Sequence, residues 1–253
     1  GSPVGNADPV KRSLRTHVEG FLSNIDQLRA RGMKGRRGVI LAGPPGTGKT
    51  LVGKVLADSL GGSLGVSFLW VLPRHIKRPD NIADLLAAAR FMAPAVLFFE
   101  DLDLFGEDRD ETRSPLLGEL MNQLDGVNDN DGLVTIATTN RLEIIERALR
   151  NRPGRFDRVI ELGLPDEDCR DRLLQLLLAR SGVAAEVRRR IVQATDGYSP
   201  AQLEELVNTM HLLAAEASDH STPGGGAAEI PAQVIERALV DLRPDGKKAI
   251  GFL

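Results

Sequence analysis

Gly43-Pro44-Pro45-Gly46-Thr47-Gly48-Lys49-Thr50 is the stretch on which the reading of this chain turns. It fits the pattern G-x-x-x-x-G-K-[ST], and its neighbours decide what that pattern means. Before it stands Val39-Ile40-Leu41-Ala42, a short apolar run that reads as a buried strand. After it, Thr50 to Leu60 carries apolar residues at helical spacing. Glycines between a strand and a helix let the backbone curl so that successive N–H groups point at phosphate oxygens. The helix adds the partial positive charge of its amino terminus. Pro45, Gly46, Thr47, Gly48, Lys49, Thr50 and Leu51 form the expected nucleotide-binding stretch. In it Lys49 reaches the β- and γ-phosphates and the Thr50 hydroxyl binds Mg²⁺. ATP or ADP and Mg²⁺ are the implied cofactors.

Outward from the loop, Val66 to Leu72 reads as a second strand and Asn81 to Met92 as a helix stopped by Pro94. Ala95-Val96-Leu97-Phe98-Phe99 is apolar on both faces, as a central strand of a parallel sheet must be. A helix over Leu116 to Leu124 follows, then strands over Leu133 to Thr138 and Val159 to Leu162. This alternation predicts an α/β fold of the P-loop kind, a parallel sheet with helices on both faces. Past Pro165 only helices are expected: Glu167 to Arg180, Glu186 to Ala194, Ser199 to Ala217 and Pro231 to Leu242. A soft loop, Ser218 to Ala228, separates the last two. Upstream, Leu14, Val18, Phe21, Leu22, Ile25 and Leu28 fall at three- and four-residue steps, one face of a single helix from Val10 to about Arg31. The basic connector behind it (Arg29, Arg31, Lys34, Arg36, Arg37) reads as a solvated loop, with a phosphate or nucleic-acid contact as the alternative. The expected divisions are 1–9 tag remnant or linker, 10–165 nucleotide-binding domain, 166–245 small all-helical domain and 246–253 tail.

Two further clusters bear on chemistry. Glu100-Asp101-Leu102-Asp103 ends the most apolar strand, where one carboxylate can hold Mg²⁺ and its neighbour can orient and deprotonate a water. Adjacent acids at a buried strand end are costly unless a cation or donors meet them. Thr135 to Asn140 ends another strand in polar residues, and Asn140 is placed to hydrogen-bond a γ-phosphate or the lytic water. Arg150, Arg152, Arg155 and Arg158 surround a rigid turn; such a cluster alone is a surface ion-pair patch or a set of phosphoryl-stabilising arginines.

Composition sets bounds on these readings. The 253 residues are 42% hydrophobic, 26% charged and only 4% aromatic, so aliphatic side chains must fill an ordinary globular core. A net charge of −3 gives no global field for nucleic acid or anionic lipid. The lone cysteine, Cys169, excludes an internal disulfide. No run spans a bilayer and no secretory signal is present, so a cytoplasmic location is expected. Gly1-Ser2 reads as a tag remnant, which leaves open an amino-terminal anchor or substrate-binding module in a longer parent.

GPPGTGKT, VLFFEDLD, LMNQLDGV, TIATTN, RPGRFDR and DGYSPAQLEELV follow one another as they do in AAA-type (AAA+) ATPases. From about Lys34 to Leu242 the chain resembles that family. The resemblance implies a nucleotide-binding domain with a helical lid, a homo-oligomeric and usually hexameric ring, and hydrolysis that remodels or translocates macromolecules, here a protein. Carried over by position, Lys49 and Thr50 bind phosphate and Mg²⁺, and Asn140 is the polar sensor. Arg152 and Arg155 reach into the adjacent subunit's site, and the Gly197 to Ala201 segment, with Tyr198, Pro200 and Ala201, touches the adenosine.

Three departures qualify the resemblance. Most members read Asp-Glu where this chain reads Glu100-Asp101, so Glu100 is assigned to the metal side and Asp101 to the base. The same order occurs in the branch resembling the mitochondrial inner-membrane AAA chaperone that translocates the folded Rieske iron–sulfur protein, and a bacterial relative of that branch is expected. Pro200 and Gln202 stand where Gly and Asp are usual. The loop Pro73 to Pro79 is basic and lacks the aromatic of ring-threading members, with His75 read as a solvated residue and Trp70 as core. Competing functions are a slow nucleotide-controlled assembly switch or scaffold, and a nucleic-acid motor favoured by Arg74 to Arg78. A small-molecule kinase lies further off, and a GTPase is disfavoured because no N-K-x-D signal occurs.

Overall fold

The computed structural model describes residues 7–105, 115–125, 130–149, 156–217 and 230–242. The chain divides into two compact units, Ala7–Leu162 and the residues from Gly163 onward.

In the first unit, α1 (Ala7–Leu14) leads into a π-helical segment (Arg15–Glu19), α2 (Gly20–Ser23) and α3 (Ile25–Ala30). The single helix expected there is broken. Asn24 leaves helical geometry (φ −119°, ψ 18°), and its side-chain amide donates to the Gly20 carbonyl at 2.8 Å, ending α2. Then follow β1 (Arg36–Ala42), α4 (Lys49–Leu64), β2 (Ser67–Val71), α5 (Pro79–Phe91), β3 (Ala95–Phe99), α6 (Pro115–Asp125), β4 (Leu133–Thr139), α7 (Leu142–Leu149) and β5 (Arg158–Glu161). The five strands form one parallel sheet in the order β2-β3-β4-β1-β5.

Strand alternation sends side chains to two cores. Val39, Leu41, Val96, Phe98, Val134 and Ile136 pack with Leu14, Val18, Phe21, Leu56 and Leu60 on one face. Ile40, Ala42, Leu97, Phe99 and Ala137 pack with Ile82, Leu86, Leu120 and Ile145 on the other. A Cβ on Gly53 would lie 2.5 Å from the Phe98 ring, so that glycine lets α4 settle onto β3. All five strands point their carboxyl ends the same way, and the phosphate-binding loop leaves from one of them.

The second unit contains α8 (Glu167–Leu177), α9 (Ala185–Ala194), α10 (Pro200–Ala217) and α11 (Ala232–Asp241). Its core is aliphatic, built on Leu174, Ile191, Leu203, Leu206 and Met210 around the single Tyr198. No described helix is long and apolar enough to cross a membrane.

Candidate nucleotide site

The glycines at the ends of the loop are required by geometry. Gly43 has φ +155°, and a Cβ there would lie 2.1 Å from the Leu162 carbonyl oxygen. Gly48 precedes α4 in left-handed conformation (φ +94°). The Thr47 hydroxyl donates to the Pro44 carbonyl at 2.9 Å. The Lys49 ammonium is buried and donates to the carbonyls of Gly43 (2.7 Å) and Pro44 (2.8 Å). Burial lowers its pKa, opposed by the charges of Asp101 and Asp103. Among the described residues, none accepts a hydrogen bond from the amides of Gly46 or Gly48. A loop with unpaired N–H groups, a buried ammonium and a helix start fits a polyphosphate. Leu51, 63% exposed on the first turn of α4, is an apolar surface beside the cradle.

The acids of the β3 end differ from one another in setting. Glu100 has both carboxylate oxygens engaged. Oε1 accepts from the Thr50 hydroxyl, and Oε2 accepts from Trp70 Nε1 at 3.1 Å. Asp101 holds a left-handed backbone (φ +47°), rare for a residue with a Cβ. Its amide donates to Thr138 Oγ1 at 2.9 Å, and its carboxylate accepts from Asn140 Nδ2 at 3.3 Å. Burial raises the Asp101 pKa, Asp103 and Glu100 raise it further, and Lys49 and the Asn140 hydrogen bond oppose them. Asp103 is 3% exposed and accepts from Thr139 Oγ1 (2.7 Å) and the Asn140 amide (3.2 Å). It therefore ties the end of β4 to the turn after β3.

Lys49, Thr50, Glu100, Asp101 and Asn140 thus belong to one hydrogen-bonded and electrostatic cluster at the carboxyl ends of β1, β3 and β4. Sequence reasoning missed three of its members. Asp103 was quoted with the acids without a role of its own, and Thr138 and Thr139 were simply the polar end of a strand. Trp70, expected as core, does pack half-buried against the core that holds Phe98, and its indole N–H also reaches Glu100. A hydroxyl and a carboxylate beside a phosphate loop suit a hard cation that keeps several waters, such as Mg²⁺. Among the described residues no group of three His, Cys, Asp or Glu forms a metal cage.

Arg152 and Arg155 lie outside the described residues. Their neighbour Asp157 is anchored to β1: its amide donates to the Gly38 carbonyl at 2.8 Å, and its Oδ2 accepts from the Gly38 amide at 2.9 Å. The basic connector is largely structural. Arg29 pairs with Asp26 and Asp131, Arg36 donates to the Leu124 carbonyl, and Arg37 donates to His17 Nδ1. In the Pro73 to Pro79 loop, Pro73–His75 form a 3₁₀ turn. Ile76 is buried there, while Arg74, His75, Lys77 and Arg78 are exposed.

In the helical unit, Tyr198 is 2% exposed and its hydroxyl donates to the Leu242 carbonyl at 2.9 Å. Pro200 opens α10, and Ser199 and Gln202 close a reciprocal capping box: the Ser199 amide donates to Gln202 Oε1 (2.8 Å) and the Gln202 amide to Ser199 Oγ (3.3 Å). The unusual pair Pro200 and Gln202 is thereby a helix start.

Residues 39–164 match the family described as ATPase family associated with various cellular activities (AAA). They are an AAA domain. The AAA domain hydrolyses ATP, with Mg²⁺ as the accompanying cation. The chain is 33% identical over 224 residues to the ATP-dependent zinc metalloprotease FtsH of Mycoplasmopsis pulmonis, covering 83% of this chain and 30% of that protein. It is 36% identical over 228 residues to FtsH 1 of Methylacidiphilum infernorum, covering 84% and 35%. It is also 32% identical over 257 residues to FtsH 2 of Salinibacter ruber, covering 96% and 36%. The chain spans about a third of the length of the curated relatives it matches. Those relatives are named as metalloproteases; this sequence contains no His-Glu-x-x-His run. Their names support the AAA family and do not reach the chaperone branch suggested by the Glu100-Asp101 order.

Proposed function

We propose that this chain is the ATP-hydrolysing module of an oligomeric ring, hexameric by family resemblance, that remodels or translocates protein. Residues 10–165 act as the nucleotide-binding domain and 166–245 as its lid. The observation that carries the reading is the convergence of Lys49, Thr50, Glu100, Asp101 and Asn140 at the carboxyl ends of β1, β3 and β4. Lys49 leaves its loop carbonyls for the β- and γ-phosphates, and Thr50 with Glu100 holds Mg²⁺. The bound cation supplies charge neutralisation at the phosphates. Asp101 accepts a proton from the attacking water, and Asn140 orients that water. Arg152 and Arg155 act on the neighbouring subunit's nucleotide. Leu51 and the backbone of Tyr198, Pro200 and Ala201 border the adenosine.

The relatives' names join ATP use to proteolysis, which supports a protein substrate over nucleic acid. A second reading, a slow nucleotide-controlled assembly switch, is favoured by Asp101. This base is a methylene shorter than glutamate and already bonded to Asn140.

The experiment is Mg²⁺-dependent ATP hydrolysis per chain across protein concentration, with Lys49→Ala as the blank. A per-chain rate that climbs with concentration is expected for sites completed by a neighbour. A rate independent of concentration in an assembling protein overturns the trans-arginine reading. ATP binding with near-zero turnover in the assembled state favours the switch.

A further inference from the structure

The only tryptophan of the chain sits where an ordinary core residue is expected, yet it ends on the nucleotide site. We propose that Trp70 is a positioning residue for the Glu100 carboxylate, holding one oxygen so that the other faces Thr50. This rests on the reading of Glu100 as the metal-side acid.

Three observations carry it. First, the glutamate is held from both sides: Trp70 Nε1 donates to Oε2 at 3.1 Å, while Thr50 Oγ1 meets Oε1. An indole N–H is a donor only, so it marks Oε2 as the occupied oxygen whatever the proton positions elsewhere. Second, the indole is itself fixed. Its ring lies 4.6 Å from the Phe98 ring and 6.0 Å from that of Phe68, centroid to centroid, so aromatic packing sets the direction of the N–H. Third, the backbone repeats the tie one residue on, since the Glu100 amide donates to the Val71 carbonyl at 2.9 Å. Strand β2 therefore grips Glu100 by main chain and side chain together.

The chemistry explains why such a grip is needed. Glutamate carries one more rotatable bond than aspartate, and a metal-side carboxylate must be held in one orientation to bind well. An outer partner that fixes a ligating carboxylate is worth about 10- to 100-fold in metal affinity. Trp70 does for a glutamate what a shorter side chain achieves by having less freedom.

The test uses Trp70→Phe, which keeps an aromatic ring against Phe68 and Phe98 and removes the N–H. Binding of a fluorescent ADP is measured against Mg²⁺ concentration, and in EDTA, for the wild type, Trp70→Phe, Glu100→Gln, Glu100→Asp and the double variant Trp70→Phe/Glu100→Asp. Trp70→Phe is expected to raise the half-saturating Mg²⁺ about 10- to 100-fold with Mg²⁺-free ADP binding unchanged. It is expected to add nothing in the Glu100→Asp background, where the shorter acid no longer depends on the indole. In the wild type, Mg²⁺ added with ADP should change the tryptophan emission, and Glu100→Gln should abolish that change. Wild-type Mg²⁺ dependence in Trp70→Phe, with Glu100→Gln weakened, overturns the proposal and leaves the functional reading standing. Unchanged Mg²⁺ dependence in Glu100→Gln defeats the metal-side assignment itself, and the Trp70 proposal with it. Equal loss of Mg²⁺-free ADP binding in Trp70→Phe marks a packing role and also overturns it.

Discussion

The helical unit and the strand ends of the α/β unit differ in how they satisfy their polar groups. In the helical unit many close on nearby main chain or on caps, beside side-chain pairs such as Arg188 with Asp171 and Ser181 with His211. Arg170, 5% exposed, donates to the Pro165 and Val192 carbonyls, Thr195 to Ile191, and Tyr198 to Leu242, while Ser199 and Gln202 cap one another. At the strand ends, side chains from different elements close on each other: Thr50 and Trp70 on Glu100, Asn140 on Asp101, Thr139 on Asp103. The first pattern builds helices. The second gathers three acids within four residues, one with a raised pKa and a left-handed backbone, beside a buried ammonium. Perturbed groups concentrated in this way mark chemistry, because a fold with no ligand to meet gains nothing from them.

The sharpest way to break this comparison is to remove the proposed base while keeping its shape. Asp101→Asn is expected to lower ATP hydrolysis by about 10²- to 10⁴-fold, the range of a lost proton acceptor. Nucleotide affinity should stay near that of the wild type, whereas Lys49→Ala should lose tight binding altogether. Single-turnover hydrolysis and equilibrium ATP binding on the same samples separate the two. If Asp101→Asn turns over at the wild-type rate, the strand-end acids have been assigned the wrong way round.

Much of this was legible in the residues because both units obey strong patterns. Ala95 to Phe99 is apolar at every position and is buried at every position, and the glycines of the loop coincide with left-handed turns. What was not legible depended on single side chains meeting across the fold. Asn24 breaks the first helix by taking the Gly20 carbonyl, which no apolar spacing reveals. α7 was passed over although Leu142, Ile145 and Leu149 fall at helical spacing, because eight residues give the period little length to show itself. Trp70 lies in an aromatic strand that looks like core, and only its indole N–H has a site-directed role. Asp103 had no role in the sequence pattern, and its bond from the hydroxyl of Thr139 appears only in the fold.

Within the helical unit the comparison predicts losses of stability that stay local. Leu203→Ala removes a fully buried side chain from that core and should cost about 2–5 kcal/mol there. Hydrogen exchange should show α10 and α11 opening more often while β1, β3 and β4 keep their protection. Ser199→Ala removes one half of the capping box and should cost about 1 kcal/mol, seen as faster exchange in the first turn of α10. Equal loosening of the central strands by Leu203→Ala would show that the two units share one cooperative core.

The smallest expected effect lies at the amino ends of the strands, far from the acids. Arg37 donates to His17 Nδ1 at 2.8 Å, so that ring nitrogen must be unprotonated in the fold. Burial lowers the His17 pKa below its ordinary 6.5, Arg37 and Arg158 lower it further, and Asp157 opposes them. A folded-state pKa below the unfolded one means the folded chain binds fewer protons. The contribution to stability is then complete above the unfolded value and is lost as pH falls through it towards the folded one. Unfolding midpoints at pH 7.5 and 5.5 should therefore fall further for the wild type than for His17→Gln. The two pH values lie above the ordinary carboxylate range, and the other histidines are common to both proteins, so the difference isolates this ring. Equal falls would mean that Arg37 gives way when His17 is protonated, and that this end of the sheet is as adaptable as the other is fixed.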